Sequence, residues 1–72
     1  MTEIGVDIGG TFTDVVLLRD GVEACRTKVP STRADPIAGV RHGVEKVLGH
    51  ARVRASEVTR FVHGSTVAIN AL

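Results

Sequence analysis

The chain has 72 residues, 43% of them apolar, with two Phe and no Trp or Tyr. This allows one domain at most, near the lower limit for a core that folds unaided, and the apolar content is mostly Val and Ala, which bury little area each. Nine Lys and Arg against eight Asp and Glu give a net charge of +1; with no basic run and almost no aromatics for base stacking this argues against a nucleic-acid partner, and no apolar stretch reaches the ~20 residues of a membrane span.

Ile4-Gly5-Val6-Asp7-Ile8 is short and β-branched and ends at Gly9-Gly10, which predicts a strand running into a tight turn. The second strand runs from Thr13 to Leu18, and its contiguous Val15 to Leu18 suits a central strand covered on both faces. Asp20-Gly21 then predicts a two-residue hairpin turn, because both positions tolerate positive φ. A third strand returns over Val22 to Val29, and Pro30 to Ala34 forms a loop. Asp35 is expected to cap a helix that opens at Pro36 and stops at Gly49. Its apolar face would carry Ile37, Val40, Val44, Val47 and Leu48, with Gly39 and Gly43 allowing close packing on the sheet. Ser56 to Val58 suits a short helical turn, and Thr59 to His63 a fourth strand. Val67 to Leu72 reads as the start of a second helix. A strand, a crossover helix and a strand place the fourth strand parallel to an earlier one. The fold class is therefore α/β, in the order β-β-β-α-β with a helix beginning, as at the start of a ribonuclease-H-like fold.

The densest chemistry lies in Asp7-Ile8-Gly9-Gly10-Thr11-Phe12-Thr13-Asp14. Two glycines let backbone approach a ligand without a Cβ in the way, and consecutive N–H groups in a turn form a concavity for anions. Thr11 and Thr13 add hydroxyl donors for phosphate oxygens. Asp7, at a strand end, could hold a metal through water or position a nucleophile, and Asp14 could orient the loop. A plain Gly-Gly hairpin is the simpler alternative, but the full pattern after an apolar strand favours phosphate. No P-loop or dinucleotide-binding glycine pattern is present. At the other end, Gly64-Ser65-Thr66 sits where a strand hands over to a helix, whose unpaired N–H groups suit phosphate or carboxylate. His63 could donate to a substrate there; a packed core histidine is the alternative. His42 and His50 lack partners at ligand spacing and read as surface residues, and Cys25 as packing.

Asp7-Ile8-Gly9-Gly10-Thr11 resembles the first phosphate loop of the actin, sugar-kinase and Hsp70 superfamily of ATP-binding proteins. The longer run Ile4 to Val15, through Phe12-Thr13-Asp14, resembles the start of the hydantoinase A/5-oxoprolinase family, which includes N-methylhydantoinases and acetone carboxylase subunits. His63-Gly64-Ser65-Thr66-Val67-Ala68-Ile69-Asn70-Ala71-Leu72 is similar to a second segment of that family, departing at Ser65, which keeps a hydroxyl, and Ile69, which does not. Lys28 to Thr32 with Asp35-Pro36 is similar to the family's entry into its first helix.

The resemblance implies an incomplete actin-like ATPase fold, residues 1–72 forming an N-terminal fragment with no complete second domain. It implies ATP, with Mg2+ or another divalent metal, and a small cyclic amide substrate such as a hydantoin or 5-oxoproline. ATP would phosphorylate the lactam oxygen and make the ring carbon electrophilic for water. Gly9, Gly10, Thr11, Phe12, Thr13 and Asp14 would form the cofactor site, Asp7 and His63 the catalytic pair, with Asp7 serving the metal, and Gly64, Ser65 and Thr66 would bind substrate or phosphate. A small-molecule kinase of the same superfamily is the alternative. The chain would need the rest of the enzyme or a second subunit, and alone it is expected not to turn over ATP. Met1-Thr2-Glu3 lacks the start of a signal peptide, and a lone cysteine fits a reducing cytoplasm; no membrane partner is expected.

Overall fold

The computed structural model describes residues 1–32 and 34–64. Ser65, Thr66 and the helix expected over 67–72 lie outside the described residues. Strands β1 (Thr2–Ile8), β2 (Phe12–Arg19) and β3 (Val22–Pro30) precede helix α1 (Pro36–Ala51), a single 3-10 turn (Ala55–Glu57) and strand β4 (Val58–Gly64). The sheet order is β3-β2-β1-β4. The first three strands pair antiparallel and β4 runs parallel to β1, as a helical crossover requires. Among the described residues the result is an α/β arrangement with a mixed four-stranded sheet and one α-helix, in the order read from the sequence.

The hairpin turn follows directly from its residues. Asp20 has φ 53° and Gly21 φ 80°, the two positive angles that match the twist of the flanking strands. Asp20 also accepts a bond from the Met1 ammonium at 2.6 Å, which holds its carboxyl below the ordinary value.

Alternation along the strands divides the sheet into two faces. Ile4 and Val6 of β1 and Val15 and Leu17 of β2 join Val40, Val47 and Val53 in the core under α1. Val16 and Leu18 are also buried but stand outside that cluster, on the opposite face. Across the strands Val16 stands beside Arg26 and Gly5, and Leu18 beside Glu3 and Glu23; the stems of long side chains can cover apolar surface. So β2 is buried on both faces, though among the described residues only one face carries a helix.

Helix α1 differs from its sequence pattern in three ways. Ile37 is 60% exposed, and the buried line runs through Gly39, Val40, Gly43 and Val47. The helix has rotated toward its glycines because they permit the closest approach to the sheet; a Cβ on Gly43 would lie 2.5 Å from Val15 Cγ2. Val44 and Leu48 flank the core instead of filling it. Asp35 makes no side-chain cap bond; its own N–H goes to the Thr32 carbonyl at 3.2 Å. Pro36 opens the helix as expected. Finally, the helix passes Gly49 and stops after Ala51.

The stop is made by Arg52, in the left-handed region at φ 56°. Its N–H reaches the Gly49 carbonyl at 3.3 Å, and the Val53 N–H reaches the Leu48 carbonyl at 3.0 Å. These are the paired bonds of a Schellman motif, with buried Val53 supplying its apolar contact. A left-handed residue with a Cβ costs about 1 kcal/mol. Arg52→Gly should therefore raise the thermal midpoint by a few degrees, measured by circular dichroism; a lower midpoint would contradict this account of the helix end.

α1 rests on β3 and β2 and less on β1. Phe61 on β4 is left 51% exposed. Cys25 is half-buried against the core, and His42 and His50 are exposed. Among the described residues no helix is long and apolar enough to cross a membrane.

Candidate functional site

The β1–β2 connection, Gly9-Gly10-Thr11, is exposed at the end of the sheet where β1 and β4 both finish. The Gly9 N–H donates to the Phe12 carbonyl at 2.9 Å, which closes the turn. Neither glycine there needs a positive φ, since the only glycine with one among the described residues is Gly21. Space is what demands glycine at position 9, where a Cβ would lie 2.8 Å from the Phe12 carbonyl oxygen. Among the described residues beyond its chain neighbours, nothing lies within 4 Å of a Cβ position on Gly10. Among the described residues the Gly10 and Thr11 N–H groups take no backbone partner. The turn thus presents open backbone donors on an unobstructed rim, the geometry an anionic ligand uses.

The strand register assembles a row of functional groups beneath this turn. Asp7 on β1 stands opposite Asp14 on β2 and beside Gly64 on β4, and Asp14 stands opposite Lys28 on β3. Lys28, Asp14, Asp7 and Gly64 therefore cross all four strands in one line, on the face away from α1. The first residues of the two sequence motifs meet here as direct neighbours. Phe12, exposed on the same side, carries the Lys28 ammonium 5.4 Å from its ring centroid. Asp14 also contributes, after the dominant Glu23 hydrogen bond, to holding the Arg26 guanidinium above its ordinary value.

Two predicted residues stand apart from this row. His63 is in register with Val6, which faces the helix-side core. Neighbouring residues in a pleated sheet share a face, so His63 and Asp7 lie on opposite faces. His63 is exposed, not packed in the core. Thr13 is 1% exposed and lies on the helix side, its hydroxyl 2.9 Å from that of Ser31; it stands behind the turn and off its open rim. Thr11 is on the rim itself.

Sequence reasoning missed Lys28 and Ser31 as site residues. Simple pairing outward from the Asp20-Gly21 turn would set Thr27 opposite Asp14. A bulge between Leu17 and Leu18 shifts β3 by one residue and brings Lys28 there instead. Nothing local in the sequence announces that bulge.

Among the described residues no three His, Cys, Asp or Glu side chains gather into a metal cage. The donors present are paired carboxylates, which suit a hard cation such as Mg2+ shared with phosphate oxygens and water.

Residues 3–72 match the family described as the hydantoinase/oxoprolinase N-terminal region. The chain belongs to this family. It is 33% identical over 73 residues to the caprolactamase subunit alpha of Pseudomonas jessenii, covering 96% of this chain and 10% of that protein. It is also 32% identical over 68 residues to an uncharacterized protein of Methanocaldococcus jannaschii, covering 93% of this chain and 9% of that one. The chain thus spans about a tenth of the length of the curated relatives it matches. The mixed sheet and single crossover helix of this hydantoinase/oxoprolinase N-terminal region are consistent with an incomplete actin-like, ribonuclease-H-like fold.

Proposed function

We propose that this hydantoinase/oxoprolinase N-terminal region supplies the first phosphate-binding turn of an ATP-dependent enzyme that opens cyclic amides. The observation that carries the reading is the turn over the carboxylate row. Open N–H donors at Gly10 and Thr11 stand above Asp7 and Asp14, with Lys28 at the end of the line. The similarity to a caprolactamase subunit supports a lactam as the substrate class.

Each group then has a task. The Gly10 and Thr11 N–H groups and the Thr11 hydroxyl bind phosphate oxygens. Asp7 and Asp14 hold the accompanying Mg2+ through water or direct the attacking water, and Lys28 offsets phosphate charge. Thr13 supports the turn from behind. Gly64 stands beside Asp7, and Ser65 and Thr66, next in the sequence, carry hydroxyls suited to substrate or phosphate. His63 serves the opposite side of the sheet end. When bound, ATP would supply the phosphoryl group that activates the lactam carbonyl, so that water adds at the ring carbon, the ring C–N bond breaks and the phosphate is released.

The test uses the whole enzyme that carries this region. Incubation with ATP, Mg2+ and hydantoin, 5-oxoproline or caprolactam is expected to give the ring-opened acid with ADP and free phosphate. A stable phosphorylated product would assign a kinase instead. Gly9→Ala should raise the KM for ATP at least about tenfold, because the new Cβ forces the turn open at Phe12 and misaligns the N–H donors; an unchanged KM would remove the turn from the site. The isolated 72-residue chain is expected to show no ATP turnover in the same assay.

A further inference from the structure

Three hydrogen bonds converge on Ser31, in the connection between β3 and α1, and two of them hold the phosphate turn. The Ser31 N–H donates to the Thr11 carbonyl at 2.9 Å. The Ser31 hydroxyl donates to the Gly9 carbonyl at 2.7 Å. The third contact, 2.9 Å between the Thr13 and Ser31 hydroxyls, has no direction of its own. The second bond supplies one, because Ser31 has a single hydroxyl proton and Gly9 receives it. Thr13 is therefore the donor and Ser31 Oγ the acceptor. The relay runs from Thr13 to Ser31 to Gly9.

A trans peptide is planar, with its C=O and N–H pointing opposite ways. The Gly9 carbonyl and the Gly10 N–H belong to one such plane. Ser31 draws the carbonyl inward, so the Gly10 N–H is held outward on the open rim. Without that bond the Gly9–Gly10 peptide could rotate and offer its carbonyl to the ligand, which would repel phosphate. Gly10 has no side chain, and among the described residues beyond its chain neighbours nothing lies within 4 Å of its Cβ position to resist such a rotation. Helix α1 stands close behind the latch: a Cβ on Gly39 would meet the Pro30 carbonyl at 3.4 Å and Thr13 Oγ1 at 3.8 Å.

We propose that Ser31 is the positioning residue that fixes the Gly9–Gly10 peptide with its N–H toward phosphate. This rests on the phosphate-binding reading of the turn given above.

The test compares Ser31→Ala, Ser31→Thr, Thr13→Val and Gly9→Ala in the full enzyme. It measures KM and kcat for ATP, and binding of a non-hydrolysable ATP analogue with Mg2+ by calorimetry. Ser31→Ala should raise KM and the analogue's Kd together by roughly tenfold. Thr13→Val should shift both the same way by less, since Ser31 then loses the donor that sets its own direction. Ser31→Thr keeps the hydroxyl and should recover most of the affinity. A purely structural role would lower the active fraction, and so kcat, while leaving KM and Kd unmoved; that result overturns the proposal. If Ser31→Ala leaves affinity unchanged while Gly9→Ala lowers it, the latch is wrong and the phosphate turn stands. If neither variant changes analogue binding, the phosphate reading itself falls, and the latch with it.

Discussion

Asp7→Asn in the enzyme that carries this region is expected to lower ATP-dependent ring opening by roughly 10²–10⁴-fold, the range for loss of an acid–base or metal-holding group. The substitution keeps size and shape and removes one charge. Asp7 and Asp14 stand directly opposite on adjacent strands, and like charges so placed destabilise a sheet. Lys28 on the far side of Asp14 offsets only part of that. The variant should therefore keep its fold while its activity collapses, which is what a charge kept for chemistry produces. Activity assays and thermal melts on the same preparation check it. Unchanged ring opening would remove Asp7 from the reaction, and a lowered melting point with partial activity would make Asp7 a structural residue.

Gly43→Ala should destabilise the fold by about 2 kcal/mol, although alanine is the better helix former by about 1 kcal/mol. The added Cβ would lie 2.5 Å from Val15 Cγ2, 3.3 Å from Val15 Cβ and 3.6 Å from Val29 Cγ2. Val15 and Val29 are both buried. Both are β-branched and stiff at χ1, so neither can swing aside. The helix would have to lift from the sheet, drawing Val40 and Val47 out of the core. Unfolding measurements should show a thermal midpoint lower by roughly 10 °C. Val15→Ala in the same chain should recover part of the loss, because it empties the space the new methyl needs. A gain in stability from Gly43→Ala alone would show that propensity outweighs contact there and that the helix stands further from the sheet.

The local features were legible. Asp20-Gly21 dictated its hairpin because only residues tolerant of positive φ fit that turn. Short β-branched and contiguous apolar runs marked the strands, and Pro36 opened the helix where its fixed φ allows. The crossover length required a parallel β4. The Gly-Gly-Thr turn and its flanking aspartates were visible as a pattern, and with them the family.

Packing overruled the pattern in α1. Periodicity alone gave Ile37 to the core, but a helix settles on whichever face comes nearest, and that face is the glycine one. Gly49 looked like a stop, yet the chain ended the helix at Arg52 because Val53 had an apolar site to fill.

By itself, then, the sequence determined the order and type of the elements, the hairpin turn and the Gly-Gly-Thr turn with its flanking aspartates, because each depends on neighbours a few residues apart. Only the tertiary structure decided which groups share that loop's surroundings. Asp7 meets Gly64 because β4 lies beside β1, and His63 turns to the other face by the same alternation. Lys28 replaces Thr27 opposite Asp14 because of a single bulge. Ser31 reaches Gly9 across 22 positions of sequence. These are long-range relations of register and face, and a shift of one residue reverses them, so no local pattern can carry them.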